Sequence, residues 1–370
     1  MKRLLLVAAI LVALCAPVAD AAVPLGAPVS QLTFGSKAHG MHLVGTRAYV
    51  ALENGMAIVD MQNPLAPALL GKLPASTALR SEAVLVNGRY AYLASSVSGL
   101  VVADVLNPAA PVVLTKLKVT GGLWDVAIKD GVIYGVSLYG EMYLFDARGA
   151  LASAPVQIKV LGLPAWGSAG GDKVNLQRLR DQVTTGNGRG TGVTVAGDWV
   201  FAVEWAYGRL YAWDATNAAA PVFAGTHYAP YLLKAVADVA NDTVYMLSAY
   251  STPSGIYTVP ISKLDPLVST RHATCAECSY LKSLSAVDQG GLAAVPGFRH
   301  IIWAGGKGLG EAHVVNVETP TAMVDEVNGT LGSHGVAMAA TMGLATLDEY
   351  VIITAGLLGL RVYHVQELGP

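Results

Sequence analysis

The most compact reactive group in the chain is Cys275-Ala276-Glu277-Cys278, with His272 just ahead of it. Two thiols at this spacing have several chemical uses. In an oxidising compartment they close a local disulfide, which staples a loop that has no core of its own. A redox pair of thioredoxin type needs a βαβ setting and a helix N-terminus to lower the thiol pKa, and the surrounding residues supply neither. Zinc needs two more ligands, and the chain holds no second CxxC. Ser279 stands where covalent haem attachment requires histidine. A disulfide is therefore the expected role of Cys275 and Cys278.

The other residues able to do chemistry are dispersed. His39, Arg80, Glu82, Trp124, Asp125, Glu204, Trp205, Tyr207, Lys234 and His334 span most of the chain, so they make a site only if the fold gathers them. Gathered, they would offer ligand-binding cations, carboxylates and aromatic faces. The subset His39, Glu82, Asp125 and His334 would suit acid–base work, with or without a divalent cation. His39 and His42 are a poor metal pair, because strand residues three apart point to opposite sides. There is no GxSxG elbow, HExxH helix, EF-hand loop or phosphate loop. No catalytic residue, metal or cofactor is expected from motifs alone.

What could position such scattered groups is a repeat. One apolar pentad recurs seven times: MAIVD (56–60), LVVAD (100–104), MYLFD (142–146), LYAWD (210–214), IYTVP (256–260), AHVVN (312–316) and LRVYH (360–364). Their last residues are separated by 44, 42, 68, 46, 56 and 48 positions. Most of these match a four-stranded blade of roughly 40–50 residues. Upstream of each pentad lies a β-rich segment centred on Tyr49, Tyr92, Tyr134, Phe201, Tyr245, Trp303 or Ile352, joined to the pentad by turns such as Asn54-Gly55 and Ser98-Gly99. Downstream come NPLAPALLGKL (63–73), NPAAPVVLTKL (107–117) and NAAAPVFAGTH (217–227). Proline is tolerated there because an outer strand needs no donor on its free edge.

No helical period of 10–15 residues separates these strands, so the expected fold is all-β, a seven-bladed β-propeller. The seventh pentad is followed only by residues 366–370, too few for an outer strand, whereas PLGAPVSQLTFGS (24–36) resembles the outer-strand segments of the other repeats. The N-terminal strand is thus expected to complete the last blade and remove an exposed edge. Aligning the repeats puts His39, Glu82, Trp124 and Thr191 at equivalent points near the starts of inner strands, with Arg80, Asp125 and Lys234 beside such points. Glu204-Trp205-Ala206-Tyr207 and His334 should reach the same channel mouth. Asp60, Asp104, Asp146 and Asp214 end their strands just before turns, where a carboxylate caps backbone amides rather than binding a cation.

The pentads followed by Asn-Pro-x-x-Pro resemble the LVIVD-repeat family of bacterial exported β-propellers. The resemblance runs over residues 24–370; it is close in blades one, two and four, looser in three and weak in five to seven, where Pro260, Asn316 and His364 replace the terminal Asp. It implies a propeller and an exported or surface location. It carries over no catalytic set.

The ends and composition agree with export. Lys2 and Arg3 precede an apolar run from Leu4 to Ala16 and the small-x-small site Ala19-Asp20-Ala21, so residues 1–21 read as a secretory signal and 22–370 as one propeller domain. That run is short of the roughly 20 residues a bilayer span requires. Lipidation at Cys15 is a competing reading that Leu14 disfavours, since such sites want a small residue there. A net charge of −2 with scattered Lys and Arg offers no basic stripe for nucleic acid. The long gap between blades three and four implies an insertion at about 162–190, whose Trp166, Asp172, Lys173, Arg178 and Arg180 could form a lid or simply a tolerated surface loop. The expected role is a scaffold that holds a protein or small-molecule ligand in the periplasm or at the cell surface. The alternatives are an exported hydrolase or lyase at the channel mouth, and a cell-surface adhesion module.

Overall fold

The structure, a computed structural model, describes residues 23–162, 190–205, 208–229, 231–248, 255–264, 270–271, 278–282, 290–295, 297, 299–305, 311–330 and 343–365. Residues 1–22, nearly all of the 162–190 insertion, Tyr207, Cys275 and His334 lie outside these residues. The strands form seven sheets. The inner strands are Ala38–Val44, Ser81–Asn87, Asp125–Lys129, Gly190–Ala196, Leu232–Asp238, Gly290–Ala294 and Leu344–Leu347. Each lies against the next, and the seventh lies against the first, so the sheets form a closed β-propeller.

The pentads are third strands, and their patterning follows from what covers them. Gly99–Asp104 is buried from Gly99 to Ala103 because neighbouring blades press on both faces, so a continuous apolar run replaces alternation. The outer strand Val112–Leu117, covered on one face, alternates instead. The hydrophobic core is accordingly a set of wedges between blades. Tyr49, Ile58, Leu93 and Val101 fill the wedge between blades one and two, and Val50, Ala57, Ile352 and Leu360 fill the one that closes blade seven on blade one.

The N-terminal segment does complete blade seven: Ser30–Leu32 runs antiparallel to Leu360–His364, pairing Ser30 with Val362 and Leu32 with Leu360. Two further strands were not foreseen. Val23–Pro24 adds a parallel fifth strand to blade six, and Thr270–Arg271 does the same for blade four. In those blades the strand expected to be the edge is therefore covered.

The recurrent aspartates do what their position predicts. Asp60, Asp104, Asp146 and Asp214 accept the amide hydrogens of Gln62, Leu106, Arg148 and Thr216 at 2.8–3.0 Å. In blade six Asn316 takes over and accepts from Glu318 at 3.0 Å. Blade five, where the pentad ends in Pro260, borrows the acceptor from the preceding hairpin: Asp242, at a φ of 52°, accepts from the Ser262 amide at 2.8 Å.

Candidate functional site

The ends of the inner strands at the channel mouth are shaped by bulges. In blades one, two, four and five the pairing with the second strand skips residues after Ala38, Ser81, Gly190 and Leu232. A bulged residue is re-aimed away from the ladder. His39, Glu82, Thr191 and Leu233 occupy these skipped positions, and Trp124 immediately precedes Asp125, the first paired residue of blade three. The residues next along, Gly40, Ala83, Asp125 and Lys234 among them, face a central channel of about 200 Å³ lined by all seven inner strands.

Two polar groupings result. Between blades one and two, Glu82 is fully buried; its Oε1 accepts from Arg80 Nε at 3.0 Å and from the Ser96 hydroxyl at 2.8 Å. The His39 ring lies 3.7 Å from Glu82 Oε2 and is itself 2% exposed, with no hydrogen bond to either nitrogen among the described residues. Burial lowers the His39 pKa, because desolvation outweighs the attraction of Glu82. Across the channel, Lys234 Nζ donates to Asp125 Oδ2 at 2.5 Å, and the same oxygen accepts from the Val193 amide at 3.0 Å.

This ion pair joins blades three and five over blade four, and glycine makes the crossing possible. A Cβ on Gly192 would lie 2.9 Å from the Leu233 carbonyl and 3.1 Å from Lys234 Cδ. The ring is equally tight at its closure, where a Cβ on Gly343 would lie 2.4 Å from the Met41 amide nitrogen.

The remaining expected residues are placed apart from these groupings. Trp124 is buried and its amide donates to the Val136 carbonyl. Glu204 is fully buried, and Trp205 meets Tyr231 with ring centroids 6.0 Å apart while packing on the core between blades five and six. His42 lines the channel and accepts the Val86 amide on Nδ1 at 3.0 Å, while His39 sits by Glu82, so the two imidazoles serve different neighbourhoods. Cys278 packs half-buried against the wedge between blades four and five and precedes the outer strand of blade five, Tyr280–Lys282. Cys278, the described end of the CxxC segment, thus belongs with blade five.

Several polar residues at the mouth escaped the sequence reading. Glu141 is buried and accepts from the Ser137 hydroxyl at 2.6 Å. Arg209 holds its guanidinium carbon 5.7 Å from the Tyr228 ring centroid. Glu311 lies 3.3 Å from His313 Nε2, whose Nδ1 meets Asp325 at 2.8 Å while the ring stacks on Trp303 at 4.0 Å. A signal for three of them was present: Glu141, Arg209 and Glu311 stand where Gly55, Gly99 and Gly255 begin the equivalent strands. Among the described residues no group of three or more His, Cys, Asp or Glu side chains is arranged to hold a metal ion.

The geometry is that of a ring of like units, and the comparisons with known proteins name the unit. The family model for the LVIVD repeat matches residues 35–73 and 80–118, which are blades one and two. The chain carries LVIVD repeats. The remaining blades lie outside the matched residues and share with these two the four-stranded sheet of a propeller blade. A search of curated proteins finds none that matches the chain. Among solved structures it is similar to the computationally designed Ika8 protein (13% identity, 92% of this chain and 100% of that one, TM-score 0.54). It is also similar to a chain of the Mitotic Checkpoint Complex (12% identity, 99% of both chains, TM-score 0.65). A third similar structure is the Cps50 (Swd1) β-propeller domain of Myceliophteria thermophila (11% identity, 92% of this chain and 100% of that one, TM-score 0.62). At such identities these likenesses concern the fold alone.

Proposed function

We propose that this LVIVD-repeat propeller is an exported scaffold that holds a protein or small-molecule ligand on its mouth face. The observation that carries the reading is the gathering of ionisable side chains at one end of the ring. Arg80, Glu82 and His39 cluster between blades one and two, and Asp125 and Lys234 pair across the channel. The opposite end uses its recurrent carboxylates to cap turns. Polar groups converging on a concavity mark a binding site, and fixed inner strands preorganise them.

Export is supported by the leader pattern of residues 1–21 and by a CxxC pair suited to an oxidising compartment. No helix of the described residues is long and apolar enough to cross a membrane. In this reading Cys275 and Cys278 are joined as a disulfide, and Tyr207 and His334 contribute to the mouth face.

The test is capture from an envelope extract by the mature protein, compared with Arg80→Ala and Lys234→Gln variants. A partner or ligand retained by the wild type and lost from at least one mouth variant supports the reading. Equal retention by all three, or no specific retention, removes it. Export is checked separately by fractionation and N-terminal sequencing, which should find the mature chain beginning close to Ala22.

A further inference from the structure

We infer that a second cleft, at the end of the ring away from the channel mouth, binds small carboxylates that also carry hydrogen-bond donors, the chemical class of amino acids and hydroxy acids. The cleft lies between blades one and two. Its volume is about 430 Å³, and its polar lining is Thr46, Arg47, Tyr49, Asp60 and Gln62. That size suits a small molecule.

Arg47 and Asp60 face each other as Cα partners on neighbouring strands, yet they form no ion pair, and Arg47 has no carboxylate partner among the described residues. Other arginines at this end of the ring are paired within their own blades. Arg148 meets Asp146 at 2.6 Å, Arg299 meets Glu318 at 2.6 Å, and Arg89 is bonded to Asp104. Blade one thus sets an arginine opposite its capping aspartate without forming the ion pair that these other arginines make.

Tyr49 departs from its counterparts in the same way. The hydroxyls of Tyr92, Tyr134 and Tyr245 donate to the carbonyls of Ala152, Ala218 and Val317 in the following blade. Tyr49, although 4% exposed, makes no hydroxyl hydrogen bond among the described residues.

The chemistry of the occupant follows from these groups. A guanidinium binds a carboxylate through two parallel N–H donors. Asp60 uses Oδ1 to accept the Gln62 amide, which leaves Oδ2 to accept from an ammonium or hydroxyl beside that carboxylate. The same negative charge disfavours a polyanion with no donor of its own. Tyr49, Thr46 and Gln62 add neutral hydrogen bonds.

The test uses the full mature protein, titrated with D-glucuronate and L-serine, with glycerol and ethanolamine as probes that lack a carboxylate. Saturation-transfer NMR and calorimetry should show saturable binding of glucuronate or serine and none of the other two. Arg47→Ala should weaken that binding by about tenfold or more, the loss of one charge-assisted contact, and Arg47→Lys should recover part of it. Arg80→Ala, at the mouth, should leave it unchanged, so this site and the mouth-face reading fail independently. If Arg47→Ala lowers the melting temperature, Gln62→Ala serves in its place. No saturable binding by either carboxylate, equal binding by glycerol, or full binding by the Arg47→Ala protein overturns the inference.

Discussion

His39 is the residue whose surroundings make the sharpest demand on solution behaviour. Burial holds its imidazole pKa below the ordinary 6.5, and burial does the same to His42. Well above pH 6.5 both rings are neutral in the folded and unfolded chain, so they contribute no pH dependence there. Below it the unfolded chain takes up protons that the folded state resists, and stability falls with pH. Melting followed from pH 7.5 to 5 should show this fall, and His39→Gln should flatten it. The Asp125–Lys234 pair makes a different prediction. Lys234→Ala strands a largely buried carboxylate and should cost about 3 kcal/mol in denaturant melts, whereas Asp125→Ala with Lys234→Ala together should cost less than the sum of the single changes. Aligning the repeats was enough to bring His39, Glu82, Asp125 and Lys234 to the mouth. It could not tell that Glu82 bonds Arg80 and Ser96 while Asp125 reaches two blades away, because bulges and cross-blade distances leave no mark in a repeat pattern.

Among elements, the inner strands tolerate least. Adding even one methyl at Gly192 presses on the Leu233 carbonyl and on the lysine stem above it, so Gly192→Ala should destabilise the fold by about 1–3 kcal/mol, read from chemical denaturation. The third and second strands were the most legible, since burial on both faces imposes an apolar run that repeats with the blade. Blades five to seven were legible despite losing the terminal Asp because their pentads keep the apolar run; in blades six and five its hydrogen bond is supplied by Asn316 at the same position and by Asp242 of the preceding hairpin. Two-residue strands such as Thr270–Arg271 were not legible: they are too short to carry a period, and their pairing is set by the neighbouring blade rather than their own. The strand Ser30–Leu32 was legible only by subtraction, from an outer strand missing at the other end of the chain.

At the scale of the whole molecule, seven wedges of core form a ring whose continuity depends on one non-covalent latch. Removing residues 22–33 would expose the edge of Leu360–His364 and release the Val23–Pro24 strand from blade six. Such a truncated protein should melt less cooperatively and aggregate at lower temperature than a protein of residues 22–370, as scattering during a thermal ramp would show. Closure is also made at the mouth, where the inner strand of blade one carries His39 and packs directly on blade seven, the Gly343 amide donating to the His39 carbonyl. Residue-resolved amide hydrogen exchange on the protein of residues 22–370 tests this closed ring most directly. The amides of Ser30–Leu32 should exchange as slowly as those of Leu360–His364, in one cooperative unit. Exchange of Ser30–Leu32 at the rate of an unstructured chain, with Leu360–His364 still protected, would contradict it.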